Sequence, residues 1–271
     1  MNARIARYLL IISIAVQIGI AQETKKLPNP ITVEQVSFDW LGNGSKVTII
    51  LQLLTDYGSP IEAERIRIHI PGQKDYIHDE KAGYGNIKDA NLDKKINRLL
   101  IRDKFKSNRM ALLPFDDKNK KTPLLVIFGP SYGCCLSGIT IISIENSIPH
   151  TIFGADQFFF VDYVDLDNDG IPELIGKMSL TEEFGNHYET YNPFYVYSLN
   201  EPRTKKAMWN KPLSKAYNLK HYFGWYPDFA ATDVVVYHPP DGSKPRVMRE
   251  KDADASYEKM MTNIEKKKAK K

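Results

Sequence analysis

Apolar and polar residues alternate along much of this chain, and the alternation is sharpest at Arg65–Ile70. There Arg65, Arg67 and His69 interleave with Ile66, Ile68 and Ile70, the period of a strand with one buried face, and Pro71-Gly72 ends the run. This register puts His69 on the polar face as an exposed strand residue. Val33–Trp40 and Lys46–Leu54 are β-rich runs separated by Leu41-Gly42-Asn43-Gly44-Ser45, a turn sequence that also contains an N-glycosylation sequon. Leu124–Phe128 is apolar at every position and reads as a strand buried on both faces. Further strands are expected at Gly138–Ile144, Gln157–Val164, Leu174–Met178, Phe194–Leu199, Ala230–Tyr237 and Pro245–Arg249. Helical spacing occurs twice. Leu92, Ile96 and Leu99 share a stripe within Asp89–Leu100, and Tyr257, Met260, Met261 and Ile264 recur in the terminal stretch from Asp252. Strands and helices do not alternate as a doubly wound α/β fold requires. The expected class is therefore mainly β: a sheet-based, partial propeller-like or sandwich architecture with a short internal helix and a C-terminal amphipathic helix.

The first residues do not belong to this pattern. Arg4 and Arg7 precede a nearly uninterrupted apolar run, Tyr8–Ile20, and Gly19-Ile20-Ala21 supplies small residues at a cleavage position. That is the layout of a signal peptide over residues 1–21, so the chain is expected to be exported, secreted or periplasmic, without stable membrane insertion after cleavage. The remainder divides by pattern into a β-rich region at 22–120, a second β-rich region at 121–250 and a helical, lysine-rich tail at 251–271. The formal charge of +4 changes meaning on this division. Arg4 and Arg7 leave with the signal segment, and Lys266, Lys267, Lys268, Lys270 and Lys271 crowd the tail, so the folded body is mildly acidic. A basic binding face for nucleic acid is not indicated.

Two short patterns carry possible chemistry. Gly129-Pro130-Ser131-Tyr132-Gly133 fits G-x-S-x-G after an apolar strand, which would make Ser131 a hydrolase nucleophile. The residues after it, Cys134-Cys135-Leu136-Ser137-Gly138 and then a β-prone run, do not continue as the helix such an elbow needs, so a Gly/Ser turn between strands is the plainer reading. The adjacent Cys134 and Cys135 leave three outcomes open: a vicinal disulfide, two reduced thiols, or pairing between chains. The aromatic clusters Tyr188–Tyr197 and His221–Tyr226 fit either core packing or a surface for a carbohydrate or protein ligand.

The strongest signal is Asp165-Leu166-Asp167-Asn168-Asp169-Gly170-Ile171-Pro172-Glu173. Carboxylates stand at the first, third, fifth and ninth positions, and Gly170 permits the sharp turn that brings them together. Ile171 can add only a backbone carbonyl. Such an oxygen set suits Ca²⁺, which takes about 6–8 oxygen ligands. An EF-hand is excluded, because its twelfth position needs a bidentate Glu and is Gly176 here, and because the flanks read as strands. From Val164 to Ile175 the segment resembles the calcium loop of FG-GAP/VCBS-type repeats of integrin-like β-propellers, present in a single copy. The resemblance implies Asp165, Asp167, Asp169 and Glu173 as side-chain ligands, Ile171 as a carbonyl ligand, and one Ca²⁺ stiffening a strand–loop–strand unit. Glu173 departs from the Asp usual at the ninth position. The expected function is that of an exported, non-catalytic binding or interaction protein, the Ser131 hydrolase being the alternative.

Overall fold

The computed structural model describes residues 30–54, 63–80, 84–85, 92–115, 122–129, 137–184, 187–199, 206–227 and 231–269. The signal segment, Ser131 and the Cys134-Cys135 pair lie outside these residues. Among the described residues the chain forms four antiparallel sheets of four strands each. The first is a meander of β1 (Ile31–Phe38), β2 (Val47–Leu54), β3 (Ala63–His69) and β4 (Tyr76–Glu80). The second, another meander, contains β5 (Met110–Leu113), β6 (Leu124–Phe128), β7 (Ile139–Glu145) and β8 (Ile148–Ala155). The last two sheets are interleaved in sequence. β9 (Phe159–Val164) and β10 (Glu173–Lys177) join β13 (Tyr195–Ser198) and β14 (Met208–Trp209) in the third. The hairpin of β11 (Glu183–Phe184) and β12 (Tyr188–Thr190) joins β15 (Val234–Tyr237) and β16 (Arg246–Arg249) in the fourth.

The second sheet is the middle layer of a stack, and its sequence follows from that position. Leu124, Val126 and Phe128 of β6 enter a core shared with Phe158, Phe160 and Leu174 of the third-sheet region. Leu125 and Ile127, between them, enter a separate core with Trp40, Ile49, Leu51, Ile66 and Ile68 of the first sheet. Both faces are dry, so the strand is apolar throughout instead of alternating. β8 adapts to the same layer through a bulge. Thr151 pairs with Ile142 and Phe153 with Ile141, which leaves Ile152 without a partner on β7, and Ile152 and Phe153 both reach the core facing the third sheet. The expected division near residue 120 falls between β5 and β6, which pair with each other.

Three helices complete the described structure: α1 (Lys94–Leu99), α2 (Lys211–His221) and α3 (Glu250–Lys268). α1 is shorter than the expected Asp89–Leu100. Residues 89–91 lie outside the described ones; Asp93 caps the helix by accepting from Lys95 N, while Leu92 bridges to Phe160 and Asp93 N donates to Phe160 O, so Leu92 and Asp93 are tied to the third sheet and are not helical. α2 was not expected from the apolar pattern, because it turns polar residues inward. Ser214 and Asn218 are fully buried and one helical turn apart. Asn218 accepts from Phe194 N and donates to Phe194 O, and Ser214 Oγ accepts from Val196 N at 2.9 Å. The two side chains thus satisfy backbone groups at the start of β13 that the short β14 does not reach. α3 packs Ala253 and Tyr257 on Tyr188, Val235 and Tyr237 of the fourth sheet.

Candidate metal centre

The Asp-rich segment is the turn of the β9–β10 hairpin, with Val164 and Glu173 the last paired residues before it. Its shape is set by carboxylates accepting from backbone N–H groups. Asp165 Oδ2 accepts from Gly170 N at 2.9 Å and Asp165 Oδ1 from Asp169 N at 3.2 Å. Asp167 Oδ1 also accepts from Asp169 N, at 3.2 Å, and Glu173 Oε2 accepts from Leu166 N at 2.8 Å. Asn168 and Gly170 have φ of 62° and 93°, left-handed conformations that fold the loop back on itself.

These bonds draw one oxygen each from Asp165, Asp167 and Glu173 to within 4.8 Å of one another. Asp169 lies outside this convergent set; its Oδ1 accepts from Ile171 N at 2.7 Å and holds the loop from within. The Ile171 side chain packs in the core between the second and third sheets, so Ile171 faces the loop only through its backbone. The three converging groups differ in setting. Asp167 is exposed, Asp165 is half-buried, and Glu173 is only 2% exposed. Burial pushes the Glu173 carboxyl up to about 7, and Asp167, Asp169 and Asp165 push the same way, against the bond from Leu166 N. Tyr163, on the neighbouring strand, has a buried hydroxyl without a hydrogen-bond partner among the described residues, and burial together with the Glu173 charge raises its pKa. Among the described residues no lysine or arginine forms an ion pair with any of the four loop carboxylates.

Gly176 explains why the hairpin cannot host an EF-hand ligand at the twelfth position. A Cβ there would lie 2.3 Å from Phe158 Cζ and 2.6 Å from Phe159 O, so no larger residue fits without moving backbone. His69 stands where the alternation put it, on the solvent face, with Nδ1 2.7 Å from Asp75 Oδ1.

The aromatic segments flagged in the sequence meet in space. Tyr191 and Phe194 from one, and Tyr222 and Phe223 from the other, form a connected set of ring contacts at the junction of the third and fourth sheets. Sequence reading missed the residue they enclose, Lys177, whose Nζ lies 4.9 Å from the Phe194 ring centre and 5.0 Å from that of Tyr222. It also missed Glu189, whose Oε2 is 3.2 Å from His238 Nε2. No local motif announces either residue, since their partners come from distant strands.

No protein-family profile, curated protein or solved structure matches the chain.

Proposed function

We propose that the chain is an exported, non-catalytic binding protein in which the Asp165–Glu173 loop holds one Ca²⁺ in a structural role. The observation that carries this reading is the convergence of Asp165, Asp167 and Glu173 oxygens within 4.8 Å around a nearly buried carboxylate. Three like charges so close repel one another, and burial of one of them deepens the penalty. A divalent cation removes both, and an all-oxygen donor set suits a hard ion such as Ca²⁺. The strand–loop–strand setting supports the resemblance to FG-GAP/VCBS loops, and the apolar run before Ala21 supports export. Bound there, the ion would neutralise the loop and hold the β9–β10 turn; Asp165 and Asp167 would supply oxygens from the turn and Glu173 one from the start of β10.

Thermal melting in a calcium titration tests this. At about a hundredfold excess over the dissociation constant, one site stabilises by about 2.7 kcal/mol, which in a domain of this size raises the melting temperature by roughly 5–10 °C. Asp167→Ala should lose most of that response and fold normally without calcium, because Asp167 is exposed and makes only one long bond to the loop backbone. An unchanged melt in millimolar Ca²⁺ would sink the reading.

A further inference from the structure

β10 carries Glu173 at one end and Lys177 at the other, and Lys177 feels the charge of a second set of side chains, Glu189 paired with His238. Lys177 is half-buried with its ammonium over two aromatic rings, and among the described residues it forms no ion pair. Glu189 attracts it from beyond contact distance and is itself engaged with His238, whose ring meets the edge of Phe223 at 5.7 Å between centres. The loops around them are locked. Asn192, 2% exposed, donates from Nδ2 to Ser179 O and Thr181 Oγ1, and its backbone N–H donates to Tyr222 Oη at 3.1 Å. Tyr191 Oη accepts from Tyr226 N at 2.9 Å. Tyr222 Oη thus already accepts a bond, which leaves its own proton to donate.

We propose that this junction of the third and fourth sheets is a binding site for a carboxylate-bearing carbohydrate. The assignment rests on the reading of the chain as a binding protein and names its ligand class. Each part of an acidic sugar has a counterpart here. The Lys177 ammonium, which has no ion-pair partner among the described residues, takes the sugar carboxylate. Glu189, with a second oxygen beyond the one facing His238, accepts from ring hydroxyls, and the Tyr222 hydroxyl donates to one. Tyr222 and Phe223 are half-buried, and their rings stand beside these groups, where sugar C–H groups would pack. A neutral sugar would leave Lys177 unmatched, and a simple carboxylate would use neither Glu189 nor the rings. Hydrogen bonds among the surrounding loops fix these groups beforehand, so little ordering entropy opposes binding.

The test is calorimetric titration of the mature protein, at fixed saturating free Ca²⁺, with a galacturonate trisaccharide and with its neutral galactose counterpart. The acidic sugar should bind about tenfold more tightly or better. Lys177→Met should erase that preference, Lys177→Arg should keep it, and Glu189→Gln should lose affinity for both sugars. Melting curves report whether each variant folds, and Lys177→Arg carries the charge test if the methionine variant does not. Equal affinity for the two sugars, no binding of either at about 10 mM, or an undiminished preference in Lys177→Met overturns the proposal. Uronates also coordinate calcium, so Asp167→Ala is run alongside. A preference that disappears with Asp167 and survives Lys177→Met places recognition at the cation loop and overturns this site. The calcium reading is judged separately, by melting without sugar.

Discussion

Two carboxylate-rich regions of this molecule handle charge in opposite ways. On the solvent face of the first sheet, Arg65 grips Asp79 with two bonds, Nε to Oδ1 at 2.7 Å and Nη2 to Oδ2 at 2.8 Å, while Arg67 and His69 converge on Asp75. Hydrogen bonds from His69 to Asp75, and from Arg65 to Asp79, hold both carboxyls below their ordinary range. At the β9–β10 turn, carboxylates gather around backbone N–H groups, with no ion pair among the described residues, and Glu173 is pushed up to about 7. One region supplies its cations from the next strand; the other, on the function proposed above, would take a cation from outside. The same residue type is thus stabilising in one place and strained in the other, and the surroundings decide which.

The contrast predicts opposite signs for one chemical change. Glu173→Gln keeps an acceptor for Leu166 N–H and removes the buried charge. Above about pH 7 the calcium-free variant should melt roughly 2–4 °C higher than the parent, the shift expected of about 1 kcal/mol in a domain of this size. It should also lose most of the calcium response of roughly 5–10 °C. Differential scanning calorimetry with and without calcium reads both effects. A calcium-free variant that melts lower than the parent would mean that the charge of Glu173 is already compensated.

A smaller effect follows from pH alone. The Glu173 pKa is raised on folding, from 4.5 to about 7, so the stability it contributes in calcium-free protein is fully present below pH 4.5 and is lost as pH rises through about 7. Asp75 and Asp79 are depressed below 3.8, so their contribution is present above 3.8 and falls away as pH drops through their folded values. Calcium-free protein should therefore be most stable near pH 4–5 as far as these groups decide it. Calcium should reverse the trend on the alkaline side, because the ion needs the ionised Glu173. Melting profiles against pH, with and without calcium, should diverge between pH 4.5 and about 7, and Glu173→Gln should bring them together.

How much of this was legible beforehand depended on whether the inward face of each element is apolar. β3 and β6 were readable because Ile66 and Ile68, or every residue of Leu124–Phe128, go into a core. α2 was not, since its inward residues are Ser214 and Asn218 while Leu219 is 60% exposed, the reverse of an amphipathic pattern. Its available signals were the Asn210 cap and Pro212 in the first turn. β8 was hidden by Pro149, Gly154 and the bulge at Ile152, which break strict alternation. In the loop, spacing located Asp165, Asp167 and Glu173 but could not show that Asp169 turns to Ile171 N or that Glu173 is buried. Those outcomes depend on how the hairpin packs against the second sheet. The Lys177 cluster was illegible for a related reason, its members lying on strands and loops up to 61 residues apart, from Lys177 to His238.

The smallest expected effect is on the side that already has its cations. Asp79→Asn breaks the two-bond contact with Arg65, whose side chains are 25% and 34% exposed for Arg65 and Asp79. Pairs this accessible contribute about 0.2–1 kcal/mol, since water competes for both partners and salt screens them. The variant should melt about 1–3 °C below the parent at neutral pH, with the difference shrinking in about 1 M salt, where the screening length is about 3 Å. Calcium should leave that difference unchanged, because the solvent face of the first sheet and the β9–β10 turn share no residue and their effects should add. A calcium response altered by Asp79→Asn would show that the two regions are coupled through the second sheet and respond as one network.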